Sequence, residues 1–248
     1  MRAFFAAFLA LTSLAQPAPA GAAAPGELVI PPATYPNLAR SAAAADGFVP
    51  AGWSLEKQQS GDLNGDGRPD LVLVLRETNP ANIVANEGLG RRRLNTNPRI
   101  LAVALADGGG YRLVTQNHTL IPRETDPVQV IDVDVTAADR AFKVKLRSMM
   151  TMGSWGAGGP TFTFRVRDNR VELIGYDSVE FTRNTGASRE VSINYLSGRM
   201  KISSAPNNET AARSVWRPAP STTVVTIDQI GNGLDFDGER RGQDRGAN

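Results

Sequence analysis

The feature that most constrains this chain is a succession of short segments in which apolar and polar residues alternate, arranged in pairs around turn residues. Alternation with a period of two is typical of a β-strand that buries one face. Two such runs around Gly, Asn or Asp predict an antiparallel hairpin. The pairs are 100–105 with 111–115, 128–135 with 142–146, 161–166 with 171–176, and 190–195 with 200–203. We therefore predict an all-β protein whose antiparallel β-meander forms a sandwich-like or curled sheet.

Further strands are expected before and after the meander. A first strand is expected around Trp53–Gln58, and the continuous apolar run Leu71–Leu75 predicts a strand that is covered on both faces. A last strand is predicted at Thr222–Ile227. Residues 77–98, which include Arg91–Arg93, show no periodicity and predict a long surface loop.

The ends of the chain differ from the centre in composition. Residues 21–47 are rich in Pro and Ala, and within them Asn37–Ala45 predicts one short helix that Gly47 can end. A single β-domain is expected at 48–230. The Gly-rich and charged segment 231–248 predicts a disordered tail.

Residues 1–20 have the pattern of a secretory signal peptide. Met1-Arg2 is followed by an apolar run over 3–15, and Ala18-Pro19-Ala20 provides a small-x-small cleavage site. Cleavage after 22–24 is the alternative. The apolar run is shorter than the ~20 residues that a membrane-spanning helix needs. We therefore expect a periplasmic or secreted protein without a transmembrane segment.

The composition excludes several chemistries. The chain has no Cys and one His, which excludes disulfides, thiolate zinc sites and a Cys nucleophile. Its 27 basic and 25 acidic residues leave a formal net charge of +2, so we expect no nucleic-acid partner.

One segment has a pattern typical of metal binding: the loop 62–70, which reads D-x-N-x-D-G-x-x-D. Calcium binds six to eight oxygen atoms, and oxygen side chains at loop positions 1, 3, 5 and 9 converge when the chain curls tightly. Gly67 stands at position 6, where the curl requires a conformation that side chains resist. The predicted calcium ligands are Asp62, Asn64, Asp66, the backbone carbonyl of Arg68, and Asp70. The alternative is a tight Asx-rich turn that holds no metal.

Two features argue against an EF-hand. The loop is followed by a predicted strand where an EF-hand has a helix, and Leu73 stands where an EF-hand has its bidentate Glu. Residues 61–74 resemble the loop–strand unit of FG-GAP and VCBS-type proteins. Together with 111–113, 161–165, 173–177 and 194–199, they resemble exported bacterial proteins that carry one such loop followed by a β-meander. The resemblance implies a calcium loop between two β-strands and assigns no activity.

Other candidate residues have simpler interpretations. His118 is expected to have a surface or hydrogen-bonded structural role, because no Gly-x-Ser-x-Gly motif accompanies it. The Gly-rich segment 153–160 lacks a Lys and predicts a flexible loop that presents Trp155, either as a binding anchor or packed back on the sheet. Arg91–Arg93 could contact anionic envelope polymers. Carboxylates that could form a catalytic pair are Asp132, Asp134, Glu172 and Glu180.

These observations predict an exported calcium-binding β-protein with a binding or envelope-structural role and no catalytic residues. Its expected partner is an envelope protein or polysaccharide. The alternative is a hydrolase that acts on an envelope polysaccharide or peptidoglycan, with the calcium loop as scaffold, and it requires two converging carboxylates in a cleft. A third hypothesis is a protein inhibitor that binds through Trp155. The oligomeric state is left open.

Overall fold

The computed structural model describes residues 28–138, 140–220 and 223–240, so the predicted signal peptide lies outside the described residues. The strands are β1 (Ser41–Ala42), β2 (Trp53–Gly61), β3 (Asp70–Glu77), β4 (Ile83–Ala85), β5 (Arg93–Asn95), β6 (Arg99–Asp107), β7 (Gly110–Asn117), β8 (Gln129–Ala138), β9 (Ala141–Met150), β10 (Gly156–Arg167), β11 (Arg170–Thr182), β12 (Ser188–Asn194), β13 (Arg199–Ala205) and β14 (Arg213–Pro218). Short 3-10 helices span Ala45–Phe48, Pro80–Asn82 and Ile227–Gln229. None of the helices in the described ranges is long and apolar enough to cross a membrane.

The strands form two main antiparallel sheets. The small sheet has the order β1-β7-β6-β3-β2, and the large sheet has the order β14-β13-β12-β11-β10-β9-β8. In the large sheet every strand pairs with its neighbour in sequence, which confirms the predicted antiparallel meander. Strands β4 and β5 form a separate short hairpin.

The main core lies between the inner faces of the two sheets. Alternate residues of β3, such as Val72 and Val74, pack with Phe142, Phe162 and Phe164 of the large sheet. The other face of β3 is also buried, because Leu71, Leu73 and Leu75 pack in a second cluster with Leu38, Phe48 and Ile100. The expectation that both faces of Leu71–Leu75 are covered is therefore confirmed.

The predicted N-terminal helix over 37–45 is wrong. Ser41 and Ala42 pair with β7, and the 3-10 helix Ala45–Phe48 follows. Leu38 and Phe48 are buried against the outer face of β3. Tertiary burial outweighs the helix propensity of an Ala-rich run, which is too short to nucleate a helix by itself.

The long loop predicted at 77–98 contains structure. It includes the 3-10 helix Pro80–Asn82 and the β4–β5 hairpin, whose strands have three residues each. Such short strands produce no detectable periodicity. Between β4 and β5, the side chain of Asn86 stabilises the connection: its amide donates to the carbonyls of Leu89 and Arg91 at 2.8 and 3.1 Å.

The region after β13 also differs from the prediction. The strand expected at 222–227 is reduced to one isolated bridge between Thr226 and Glu172, while residues 221–222 lie outside the described range. Strand β14 was not predicted. All six of its residues are exposed, so it lacks the alternation of buried apolar and exposed polar side chains by which a strand is predicted.

Residues 231–240, the described part of the predicted disordered tail, pack on the large sheet. The Phe236 ring lies 5.6 Å from the rings of both Phe162 and Tyr176. The hydroxyls of Tyr176 and Tyr195 donate to the carbonyls of Phe236 and Gly238 at 3.2 and 3.3 Å. These contacts correct the expectation of disorder up to residue 240.

Candidate functional site

The predicted calcium loop, residues 62–70, connects β2 to β3 and touches both sheets. Leu63 inserts into the main core and is 1% exposed. On the other side, Gly65 lies so near the large sheet that a Cβ would come within 2.8 Å of Nε of Arg140, beside the β8–β9 turn. A Cβ on Gly61 would contact the Ala137 methyl at 3.2 Å. The loop therefore lies at a junction between the sheets.

The curl of the loop is organised around the carboxylate of Asp62. This carboxylate accepts backbone N–H bonds from Gly65 at 2.6 Å, Asp66 at 3.1 Å and Gly67 at 3.0 Å. The side-chain oxygen of Asn64 accepts a further bond from the Asp66 amide at 3.0 Å. Gly65 and Gly67 have φ values of 84° and 80°, which favour glycine. The residue types at these positions thus determine the tight path of the chain.

The carboxylate of Asp66 faces solvent and pairs with Arg68 inside the loop. The guanidinium approaches it at 2.7 Å, and the Asn64 amide donates to it at 3.1 Å. Hydrogen bonding to Arg68 is the main cause that lowers the pKa of Asp66 to about 2. Asp66 is therefore ionised near neutral pH and already carries one cationic partner.

The carboxylate of Asp70 is buried at the first residue of β3. One oxygen accepts the Leu63 amide at 2.7 Å, and the other accepts the Ala106 amide of β6 at 2.8 Å. Burial raises the pKa of Asp70, and these two hydrogen bonds oppose that rise. Asp70 thus connects the loop, β3 and β6 through backbone amides.

The donor set of the loop fits calcium in chemical type. It consists of carboxylate, amide and carbonyl oxygens, the ligands that a hard cation prefers. The structure engages these groups with one another instead: Asp62 and Asp70 accept backbone amides, and Asp66 binds Arg68. Within the described ranges, no group of three or more His, Cys, Asp and Glu side chains is placed so that it could hold a metal ion.

A second feature is an open trough of about 880 Å³ on the large sheet. Its floor includes Ser148 and Gly158, and its wall is the segment 234–237 with Glu239. Gly158 and Gly159 have φ values of 144° and 145°, and a Cβ on Gly158 would fall 1.9 Å from the Val179 carbonyl oxygen. Glycine is therefore required at these two positions of β10, because the backbones of the neighbouring strands leave no space for a Cβ atom.

The trough carries an excess of negative charge. Arg189 forms an ion pair with Glu239 at 2.7 Å, and this hydrogen-bonded partner raises the pKa of Arg189, as do the charges of Glu180 and Asp237. Glu180 also lines the trough, and its charge acts on Arg189. Sequence reasoning considered Glu180 but missed this grouping, because the residues are up to 59 positions apart between Glu180 and Glu239.

His118 and Trp155 belong neither to the loop 62–70 nor to the lining of the trough. The ring of His118 stacks on Tyr35 at 4.4 Å and contacts Gln116 at 2.9 Å, and burial lowers the pKa of His118 although Asp228 opposes this. Trp155 is 58% exposed, with the Arg183 guanidinium 5.6 Å from its ring centroid.

Most of the carboxylates that were considered as a catalytic pair are engaged elsewhere. Asp132 forms an ion pair with Arg147, and Glu172 pairs with Arg165 at 2.8 Å. In the Arg91–Arg93 segment, Arg91 pairs with Glu124 at 2.6 Å.

These observations define the class of the protein: a two-sheet antiparallel β-sandwich with an Asx-rich loop at the junction of the sheets. No protein-family model, curated protein or solved structure matches the chain.

Proposed function

We propose that the protein is an exported calcium-binding β-protein with a binding or envelope-structural role. The observation that supports this proposal is the tight curl 62–70, in which the Asp62 carboxylate accepts three backbone amides and two positive-φ glycines permit the turn. The sequence places oxygen side chains at positions 1, 3, 5 and 9 of this curl. The ligands are Asp62, Asn64, Asp66, the carbonyl of Arg68, and Asp70. The signal-peptide pattern of residues 1–20 supports export to the periplasm or beyond.

Calcium acts as a cross-link in this proposal. When the ion binds, it takes the place of the Arg68 guanidinium as the counter-charge of Asp66. Because Leu63 is in the core and Gly65 lies against Arg140, fixing the loop also fixes the small sheet relative to the β8–β9 turn. Extracellular calcium modules bind with dissociation constants of ~10⁻⁴–10⁻³ M, a range that suits a structural ion outside the cytoplasm.

Calcium is expected to raise the melting temperature of the wild type. At a calcium concentration of ten times the dissociation constant, linkage gives about 1.4 kcal/mol, which corresponds to roughly 3–6 °C for a chain of this size. The measurement is scanning calorimetry in calcium and in chelator. Asp62→Ala and Asp66→Ala remove the shift, whereas Arg68→Ala tightens calcium binding severalfold because the competing cation is lost.

The matched control is Asp126→Ala. Asp126 also accepts a backbone amide bond, from Val128 at 2.9 Å, but it lies outside the loop. This variant should keep the full calcium shift. If the wild type melts at the same temperature in excess calcium and in chelator, the calcium proposal is wrong.

A second candidate function, hydrolysis of an envelope polysaccharide or peptidoglycan, is favoured by the trough. Glu180 and Asp237 both line it, and glycoside hydrolysis needs two carboxylates on one cleft. The test is release of new reducing ends from these polymers, with Glu180→Gln and Asp237→Asn as variants. Glu190→Gln, an exposed residue of β12 outside the trough lining, is the matched control. An enzyme would lose its activity only in the first two variants, and absence of wild-type release excludes this candidate.

A further inference from the structure

The large sheet ends in an exposed edge. Strand β14 is last in the strand order, and among the described residues it pairs only with β13. All of its residues are exposed, including Val215 at 52% and Trp216 at 58%. An edge of this kind carries backbone groups that can pair with an additional strand.

The register shows which backbone groups face the open edge. The Ala219 amide donates to the Gly198 carbonyl at 2.8 Å, so these opposed residues form a hydrogen-bonded pair. Hydrogen-bonded pairs alternate along an antiparallel ladder. The opposed pairs Val215–Ile202 and Arg217–Met200 therefore bond within the sheet.

The alternate residues of β14 turn their backbone N–H and C=O groups toward the open edge of the sheet. Ser214 and Trp216 present both N–H and C=O to the open edge, whereas Pro218 has no N–H to present. The proline ends the run of donors, as is common at sheet edges. The edge therefore has space for a short strand of about five residues.

The hairpin of β13 and β14 is strongly basic. Its strands contain Arg199, Lys201, Arg213 and Arg217 and no acidic residue, and Glu209 in the connection is the one acid between 199 and 218. The Arg199 guanidinium lies 4.4 Å from the Trp216 ring centroid, which is a cation–π distance.

The same charges act against pairing with a second copy. A symmetric antiparallel pair that uses the outward groups of Ser214 and Trp216 on both chains centres on Val215. In that register Arg213 of each copy lies opposite Arg217 of the other. Like charges directly opposite each other destabilise a sheet. The sequence of β14 thus disfavours self-association and suits a strand with acidic residues at those positions.

We infer that β14 is a docking edge for an acidic extended segment of a different protein, which adds to the large sheet as an antiparallel strand. Acidic side chains of the partner lie opposite Arg213 and Arg217, an apolar side chain lies opposite Val215, and the backbone of the partner bonds to Ser214 and Trp216. This inference does not rest on the calcium proposal, because β14 is the edge strand of the large sheet, whereas the loop 62–70 connects two strands of the small sheet.

The probe is a labelled peptide, Thr-Glu-Thr-Val-Thr-Glu-Thr, whose binding is followed by fluorescence anisotropy in chelator and in calcium. N-methylation of the two threonines beside the central valine blocks the amides that face β14 and should weaken binding about tenfold or more, since two hydrogen bonds are lost. N-methylation of the valine and glutamates leaves binding within about twofold. If both methylated peptides bind equally well, the contact is not strand addition and the proposal is overturned.

Two variants test the charge argument. Arg217→Glu is expected to weaken binding of the acidic peptide about tenfold or more. It also places a carboxylate opposite Arg213 of a second copy, so sedimentation velocity should show increased self-association relative to the wild type. Lys143→Glu, an equal charge change at an exposed position of β9, is the control and should keep wild-type binding. Circular dichroism verifies that each variant is folded.

Two outcomes overturn the proposal at this step. One is a loss of less than about twofold in the Arg217→Glu variant. The other is a wild type that self-associates and dissociates upon Ser214→Pro, which removes an outward amide, because that result assigns the edge to a second copy of the chain.

Discussion

Phe162→Ala is expected to lower the free energy of unfolding by about 4 kcal/mol. Phe162 is completely buried in β10, and its ring lies 6.1 Å from that of Phe164 and 5.6 Å from those of Tyr176 and Phe236. Truncation removes the buried ring and leaves a cavity between the two sheets and the segment 231–240. Urea unfolding of the wild type and the variant measures the loss.

The same substitution at Phe181 is the matched control. Phe181 lies on the adjacent strand β11 but is 41% exposed. Phe181→Ala should cost less than about 1 kcal/mol. The variant Phe162→Ala should also become more sensitive to proteolysis within 231–240, because Phe236 loses one of its two ring contacts. Equal losses of stability for the two variants would contradict this account of the core.

Asp70→Ala is expected to lower the free energy of unfolding by about 3 kcal/mol in chelator. The substitution leaves the amides of Leu63 and Ala106 without their acceptor, and an unsatisfied buried donor costs about 1–3 kcal/mol. Asp70→Asn keeps one acceptor oxygen and should lose about half as much. Chelator separates this structural role of Asp70 from its proposed role as a calcium ligand.

The control for Asp70 is Asp66→Ala in the same loop. Its carboxylate faces solvent and pairs with an exposed Arg68, and exposed ion pairs contribute little to stability. In chelator its effect should therefore be small. If Asp70→Ala unfolds with the same urea midpoint as the wild type, the buried carboxylate does not hold the loop to β3 and β6.

Most strands could be predicted because their side chains face one core. Strand β9, for example, alternates buried Phe142, Val144 and Leu146 with exposed basic residues, and that alternation is visible in the sequence. β14 has no buried face and was missed. The Ala-rich segment 37–45 was assigned to a helix, since its actual partner, the outer face of β3, is distant in sequence.

The tight curl of the loop 62–70 could be predicted from the sequence, but the hydrogen bonds and the ion pair that its carboxylates form could not. Glycines and Asx residues at fixed spacing act over nine positions, so their conformational preference is local. The second bond of Asp70, to Ala106, joins residues 36 positions apart. The pairing of Asp66 with Arg68 depends on side-chain direction, which the spacing of residues does not specify.

By itself, the sequence determined the all-β class, the order of the hairpins, the doubly covered strand at 71–75 and the tight Asx-rich loop, because each depends on preferences within a few residues. Only the tertiary structure decided that residues 234–237 and Glu239 line a trough, that the loop lies between two sheets, and that a basic strand ends the large sheet. Each of these features arises from contacts between segments that are remote in the chain. Their free energy comes from burial and pairing that no local pattern encodes.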